Sequence, residues 1–394
     1  MSALPSLLSA AAVRERAHEM LAIAVDGGLD HWRVDLDRLP ATADIVASVI
    51  RQQYPTLQVP FHARWRHFVT AGRDLWAEMA DGVHWSGPRA RARAAFDLVV
   101  TSVLLDAGAG PTWRFDDTAT GSVIGRSEGL GVASLRLFQS GLLSREPRDD
   151  PYRADGLDRV DAAMLAKAFQ VSDANPLVGL EGRAALLRRL GQVVRRPGDL
   201  FDRIAARAIN DRLPAPIILE VLLEALGPIW ENRLTLDGLP LGDTWRHPAI
   251  KRDDATDGLV PIHKLSQWLA YSLIEPLEEA GTTVHSLDGL TGLAEYRNGG
   301  LFIDDGVMVL KDPTDMGRTH AVGDPLVVGW RAMTVALLDR IAPLVRDRLG
   351  VAEADFPLAR VLEGGTWAAG RVLAKDRREG GGPPLTITSD GTVF

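Results

Sequence analysis

The sequence predicts a mainly α-helical fold, a large helical body with a few small β-hairpins. Three observations carry this. Apolar residues recur at three- and four-residue spacing along most of the 394 residues. Strand-like runs are few, and each holds an Asp-Gly pair between β-favouring residues, which suits a tight hairpin. Hydrophobic residues make up 46% of the chain and charged residues 24%, enough apolar material for a sizeable core and incompatible with disorder throughout.

Taken in order, Ser9 is placed to cap a helix whose apolar face carries Val13, Ala17, Leu21 and Ala24, and Gly27-Gly28 ends it. Pro40 suits a first helical turn, and Ile45, Val46, Val49 and Ile50 form one stripe before Tyr54-Pro55. Pro88 opens a further helix with Phe96, Val99, Val100, Val103 and Leu104 at core spacing. Helical spacing also covers roughly 126–142, 158–170, 180–194, 216–226, 263–280 and 326–349. The expected hairpins lie at 234–239, 301–310 and 385–394. The glycines at 121, 125, 129 and 131 have no strand before them and no Lys-Ser/Thr after them, so they read as sites of close helix packing. The best loop candidates are 144–155 and 247–258, with a Gly/Pro-rich connection at 377–384. One domain over residues 1–394 is expected, with a soft boundary between two lobes near 144–155.

Composition excludes several function classes. The 44 basic and 52 acidic residues give a net charge of −8, so no cationic field covers the chain and a nucleic-acid partner is disfavoured. Cysteine is absent, which removes disulfides, zinc-thiolate sites, iron–sulfur clusters and a Cys nucleophile, and fits a reducing compartment. No apolar run approaches membrane-spanning length and no secretory leader is visible, so a cytoplasmic protein with no membrane partner is expected.

Walker A, His-Glu-x-x-His and Gly-x-Ser-x-Gly motifs are missing. The densest cationic-aromatic segment is Phe61-His62-Ala63-Arg64-Trp65-Arg66-His67-Phe68. Read as a helix, it aligns Phe61, Trp65 and Phe68, sets His62 beside Arg66, and pairs Arg64 with His67. Guanidinium forks clustered with imidazoles suit a phosphate or carboxylate, and Arg66 is the expected buried, bidentate contact with Arg64 at the rim. The bland alternative is an amphipathic helix with solvated Arg and structural His. No carboxylate neighbours His62 and His67 in sequence, so no metal is expected there.

Pro261-Ile-His263-Lys264-Leu-Ser266-Gln267-Trp268 opens a long helix, whose free N–H groups could hold an anion with Lys264 and Ser266. The alternative is a capped start with His263 hydrogen-bonded in the core. Glu295-Tyr296-Arg297-Asn298-Gly299-Gly300 precedes the clearest predicted hairpin and suggests close backbone approach. There a carboxylate beside an Arg suits acid/base or oxocarbenium chemistry, or an ion pair in a turn. In Glu363-Gly-Gly-Thr366-Trp367, Thr366 reads as the cap of a new helix. Asp106 ends a strongly apolar helix, followed by Gly108, Gly110 and Trp113. An acid at a helix C-terminus opposes the dipole, and a turn-forming Asp before glycine is the alternative.

Five of these segments together, Phe61–Phe68, His263–Trp268, Glu295–Phe302, Glu363–Trp367 and the terminal Ser389–Phe394, resemble the uracil-catabolism protein four family of the alternative uracil degradation route. Ala63 and Ile262 stand where that family's pattern has Ser and Phe. A second resemblance links Leu290-Thr-Gly-Leu-Ala-Glu295-Tyr-Arg297 and the Asp106…Trp113 spacing to queuosine-salvage N-glycosylases, relatives of helical DNA glycosylases. Here Glu295 replaces Asp, Asn298-Gly299 replaces Pro-Gln, and 108–112 lacks that family's Asn and both Phe residues.

The resemblances imply a helical DNA-glycosylase-like fold and a role in pyrimidine breakdown. They do not fix the reaction; the activity expected here is an N-ribosyl hydrolase of a ring-opened uracil nucleotide such as ribosylurea 5-phosphate, releasing urea or a urea derivative. In that reading Asp106 and Glu295 supply the carboxylates and Arg297 orients one of them or the substrate. Arg64, Arg66, His67 and Lys264 hold the phosphate. His62, Trp113, His263, Tyr296, Asn298, Glu363 and Trp367 contact the substrate. No cofactor and no metal are expected. The partners are a small phosphorylated ribose compound and other uracil-degradation enzymes. The alternatives are a metal-assisted amidohydrolase using His62, His67 and His263, and a non-catalytic binding subunit of the route.

Overall fold

Periodic apolar spacing becomes helix along most of the chain. The computed structural model, which describes residues 7–388, contains α1 (Ala10–Val25), α2 (Leu39–Gln53), α3 (Leu75–Asp81), α4 (Pro88–Leu104), α5 (Arg126–Gln139), α6 (Ala162–Ala168) and α7 (Leu180–Val193). It continues with α8 (Asp199–Ala205), α9 (Ala215–Leu226), α10 (Lys264–Glu279), α11 (Tyr296–Asp304), α12 (Pro325–Leu349), α13 (Leu358–Val361) and α14 (Trp367–Arg377). Ser9 caps α1 through Oγ, which accepts from Ala12 N at 3.2 Å. Pro40 and Pro88 sit in the first turns of α2 and α4, where a missing N–H costs nothing. Among the described residues no helix is long and apolar enough to cross a membrane.

Strands among the described residues are short and pair only in two-stranded ribbons. The fold is mainly α, as the periodicity predicts. The expected hairpin at 234–239 forms: Thr235–Leu236 pairs antiparallel with Leu239–Pro240, with Asp237 and Gly238 both at positive φ. The expected hairpin at 301–310 does not. Residues 296–304 are α11, and Met308–Leu310 pairs antiparallel with Trp32–Val34 instead. Two glycines weaken a helix locally, but here packing demands them. A Cβ on Gly299 would lie 2.6 Å from Trp330 Nε1, and one on Gly300 would lie 3.3 Å from Pro384. In the last expected hairpin, Thr386–Ile387 pairs parallel with Thr319–His320, and 389–394 lie outside the described residues. Thr366 does not start a helix either. The backbone runs from α13 into α14 through a π-helical turn, Leu362–Thr366.

The chain divides into two compact units interleaved in sequence. The first comprises residues 7–62, 233–267 and 286–388, and the second 63–232 and 268–285. The segment 144–155 lies inside the second unit. In the first unit α12 is buried over most of its 25 residues and packs on α1 and α2. There α11 packs on α14 so closely that a Cβ on Gly370 would lie 2.1 Å from the Arg297 carbonyl. In the second unit α4 is the central element, buried along Phe96, Val99, Val100 and Val103. A Cβ on Gly131 of α5 would lie 2.8 Å from His67 Cβ, so that glycine serves close packing.

Candidate functional site

The 61–68 segment is a short 3-10 helix, Arg64–Phe68, rather than a turn of α-helix. This geometry reverses the expected burial of its two arginines. Arg64 is wholly buried, while Arg66 is partly exposed and forks Glu275 at 2.8 and 2.6 Å. Expected neighbours His62 and Arg66 make separate pairs, whereas Arg64 and His67 meet as expected, Nη1 donating to Nδ1 at 2.9 Å.

Arg64 is the hub of a polar cluster inside the second unit. Its Nη1 also donates to Asp106 Oδ1 at 2.8 Å, and its Nε to Ser102 Oγ at 2.7 Å. Its backbone N–H donates to Ser272 Oγ at 2.9 Å, and its guanidinium lies 5.5 Å from the Trp268 ring centre. Burial lowers the pKa of this guanidinium, and the carboxylate of Asp106 opposes that shift. Arg64 Nη2 is buried with no hydrogen-bond partner among the described residues, an arrangement that costs free energy unless a ligand or water accepts from it. Asp106 follows the last turn of α4, and its side chain is 8% exposed. Ser127, in the first turn of α5, places Oγ 2.5 Å from Oδ2 and 2.6 Å from Oδ1 of Asp106. The acid at the helix end is therefore answered by an ion pair and a hydroxyl, and its backbone N–H closes a turn on the Val103 carbonyl at 3.0 Å.

A second cluster lies inside the first unit. Glu295 is the N-cap of α11: Oε1 accepts from Asn298 N at 2.5 Å and Oε2 from Arg297 N at 2.9 Å. Asn298 is buried, donates through Nδ2 to the Leu293 carbonyl at 3.1 Å and accepts from Thr366 Oγ1 at 2.9 Å. Arg297 stacks over Trp367 at 4.6 Å and over Tyr296 at 5.4 Å. His62 Nδ1 lies 2.5 Å from Glu363 Oε2, and its ring lies 5.7 Å from Trp367. The π-helical turn carries Glu363 and Thr366 toward these partners, and such turns concentrate at functional sites.

Three expected contacts are placed elsewhere. Trp113 is wholly buried and donates Nε1–H to the Phe169 carbonyl at 3.0 Å, a core position. The start of α10 is occupied by the chain's own Asp243, which accepts from Lys264 N through Oδ2 at 3.0 Å and from Ile262 and His263 through its carbonyl. His263 is buried with Nε2 3.0 Å from the Leu7 carbonyl, the core alternative. His62, His67 and His263 thus have separate partners, and among the described residues no group of three or more His, Asp or Glu side chains is placed to hold a metal.

Sequence reading missed Ser102, Ser127 and Ser272 of this cluster, and Arg183, whose guanidinium donates to the Leu105 and Gly108 carbonyls beside Asp106. Ser127 follows a glycine-rich turn and carries no periodic signal. Arg183 did leave one, because it shares the apolar face of α7 with Leu187 and Leu190, where a cation is out of place.

Asp106 and its partners Arg64 and Ser127 lie in the second unit, and Glu295 and its partners in the first. Over 98% of its length and 98% of the relative's, the chain is 39% identical to Protein urg3 of Schizosaccharomyces pombe. It is 37% identical to Uracil catabolism protein 4 of Lachancea kluyveri, over 94% of this chain and 93% of that one. A family described as Protein of unknown function (DUF1688) matches residues 6–394. With near-complete coverage at these identities, the chain belongs to the DUF1688 family, the uracil-catabolism protein 4 family.

Proposed function

We propose that the chain acts in uracil breakdown as an N-ribosyl hydrolase on a ring-opened uracil nucleotide, a ribosylurea 5-phosphate-like compound. One observation carries the reading: the Asp106 carboxylate is held from two sides by Arg64 and Ser127 in a polar cluster where Arg64 Nη2 is buried with no hydrogen-bond partner among the described residues. The printed name of the Lachancea kluyveri relative supports the pathway. The distant glycosylase-like spacing of Asp106 and Trp113 supports the chemistry.

Cleavage of the C1′–N bond passes through an oxocarbenium-like state. The carboxylate of Asp106 opposes the positive charge that develops on the ribose and takes a proton from the attacking water, whose oxygen bonds to C1′. The bonding pair leaves with the ureido nitrogen, which takes up the proton that Asp106 accepted from the water and departs as urea, so Asp106 returns to its carboxylate form. Arg64 and Ser127 fix the carboxylate so that no reorganisation is needed at that moment. The buried Nη2 of Arg64 donates to a substrate oxygen. Glu295 serves as the cap of α11, and Arg297 as the cation stacked on Trp367.

The test is incubation of the purified chain with synthetic ribosylurea and its 5-phosphate, with urea and pentose products measured separately. Turnover that is lost in Asp106→Asn supports the reading. Ligand binding without turnover in the native chain would favour the non-catalytic subunit instead.

A further inference from the structure

We infer that Arg183 is the positioning residue of Asp106, an inference that rests on the proposed role of Asp106. Arg183 projects from α7 and is wholly buried. Its Nη1 donates to the Leu105 carbonyl, and its Nη2 donates to the carbonyls of Ala107 and Gly108, the latter at 2.9 Å. Its Nε donates to the Val178 carbonyl at 3.2 Å. One guanidinium therefore pins the backbone on both sides of Asp106, while Arg64 and Ser127 pin its carboxylate.

The charge of Arg183 has a reason to be there. Leu105 is the C-cap of α4, where the negative end of the helix dipole disfavours a carboxylate at residue 106. A cation bonded to the Leu105 carbonyl offsets that field where the acid must sit. Burial pushes the Arg183 guanidinium down to about 10, the charge of Asp106 opposes this, and Arg64 adds to it. The two guanidiniums and the carboxylate thus form one electrostatic unit. A Leu would fill the same space on α7 without the cost of burying a charge, and would take its donor from all four carbonyls.

The experiment compares the full-length chain with Arg183→Lys, Arg183→Met, Asp106→Asn and the double variant Asp106→Asn/Arg183→Lys. It reads kcat and KM on ribosylurea 5-phosphate, together with amide hydrogen exchange of 105–110. Arg183→Lys is expected to lower kcat by about 10- to 100-fold with little change in KM, the scale of a misplaced reacting group. Exchange across 105–110 is expected to speed up. In the Asp106→Asn background the Lys substitution is expected to add no further loss, because Arg183 acts through that carboxylate. Should Arg183→Met fail to fold, Arg183→Lys decides the question alone. The inference is overturned if Asp106→Asn is inactive while Arg183→Lys keeps its kcat, or if the Lys substitution lowers residual turnover equally in both backgrounds. Full turnover in Asp106→Asn would sink the reading of Asp106 itself, and Arg183 with it.

Discussion

Two buried Arg–Asp pairs in this molecule have the same chemistry and opposite designs. In the first unit Arg331 of α12 forks Asp243, Nη1 to Oδ1 and Nη2 to Oδ2, both at 2.8 Å. Asp243 also accepts from Trp245 Nε1 at 2.7 Å and Lys264 N at 3.0 Å, so both carboxylate oxygens are fully used. Burial works against the charge of Asp243, but the Arg331 guanidinium outweighs it and holds the carboxyl well below the usual range. In the second unit Arg64 meets Asp106 through one nitrogen, spends its Nε on Ser102, and keeps Nη2 without a partner among the described residues. The two pairs differ in how their donors are distributed: the fork closes on Asp243, and the donors of Arg64 split between Asp106, Ser102 and His67. Under the proposed role of Asp106, the split leaves a terminal nitrogen of Arg64 for a ligand.

The largest effect expected from this contrast is on stability at the closed pair. Asp243→Asn should cost about 3–5 kcal/mol in urea unfolding, because it breaks the fork and leaves the buried Arg331 charge uncompensated. A loss under about 1 kcal/mol would show the fork to be ornamental. The acid limb should follow the same sign. The depressed carboxyl contributes stability above its unfolded value of about 3.9, and that contribution is lost as pH falls below it.

At the split pair the effect should extend from stability to turnover. Asp106→Asn should lower turnover by about 100-fold or more. It should also destabilise, because the buried Arg64 charge loses its carboxylate, although Asn still accepts from Arg64 and Ser127. A variant that unfolds as readily as Asp243→Asn and turns over normally would erase the contrast.

A third pair sharpens it by pH. Asp97 of α4 is wholly buried, pairs with Arg196 and accepts from Gly198 N at 2.6 Å. Burial outweighs these partners and pushes its carboxyl up to about 6. Between the unfolded value of about 3.9 and this folded value the native chain holds the extra proton, so stability falls as pH rises through that window. The limiting slope is about 1.4 kcal/mol per pH unit. Urea midpoints at pH 4.5 and 6.5 should show this contribution in the native chain and lose it in Asp97→Asn.

The smallest effect belongs to Arg66. Its fork with Glu275 is partly solvated, so Arg66→Lys should change stability by under about 1 kcal/mol. The ratio of turnover on ribosylurea 5-phosphate to that on ribosylurea should stay constant. A selective loss of the phosphorylated substrate would mean that the fork opens for phosphate, and that a split pair is not needed to mark a site.

Much of the helical body is legible because a 3.6-residue apolar stripe has few other uses. α1, α2, α4, α5, α7, α9, α10 and α12 all follow predicted stripes, with ends shifted by one or a few residues. α11 was hidden. Its glycines argue against helix, and only the crowding of Trp330 and Pro384 explains why they stand there. The candidate residues were legible as chemistry-bearing segments, but their partners were not. Arg64 and Asp106 are separated by 42 residues, and His62 and Glu363 by 301.

By itself the sequence determined the helical class, the Asp237-Gly238 turn, the lack of any cysteine-based chemistry and the segments in which polar residues gather. These follow from local physics: spacing along a helix, the φ that Gly and Asp tolerate, and the residue types present. Tertiary structure decided which arginine of 61–68 is buried, that Asp243 rather than a ligand occupies the start of α10, and that Asp106 sits against Arg64, Ser127 and Arg183. Such choices depend on where distant backbone brings a carboxylate or carbonyl within 3 Å of a guanidinium. No periodicity within a single segment carries that distance.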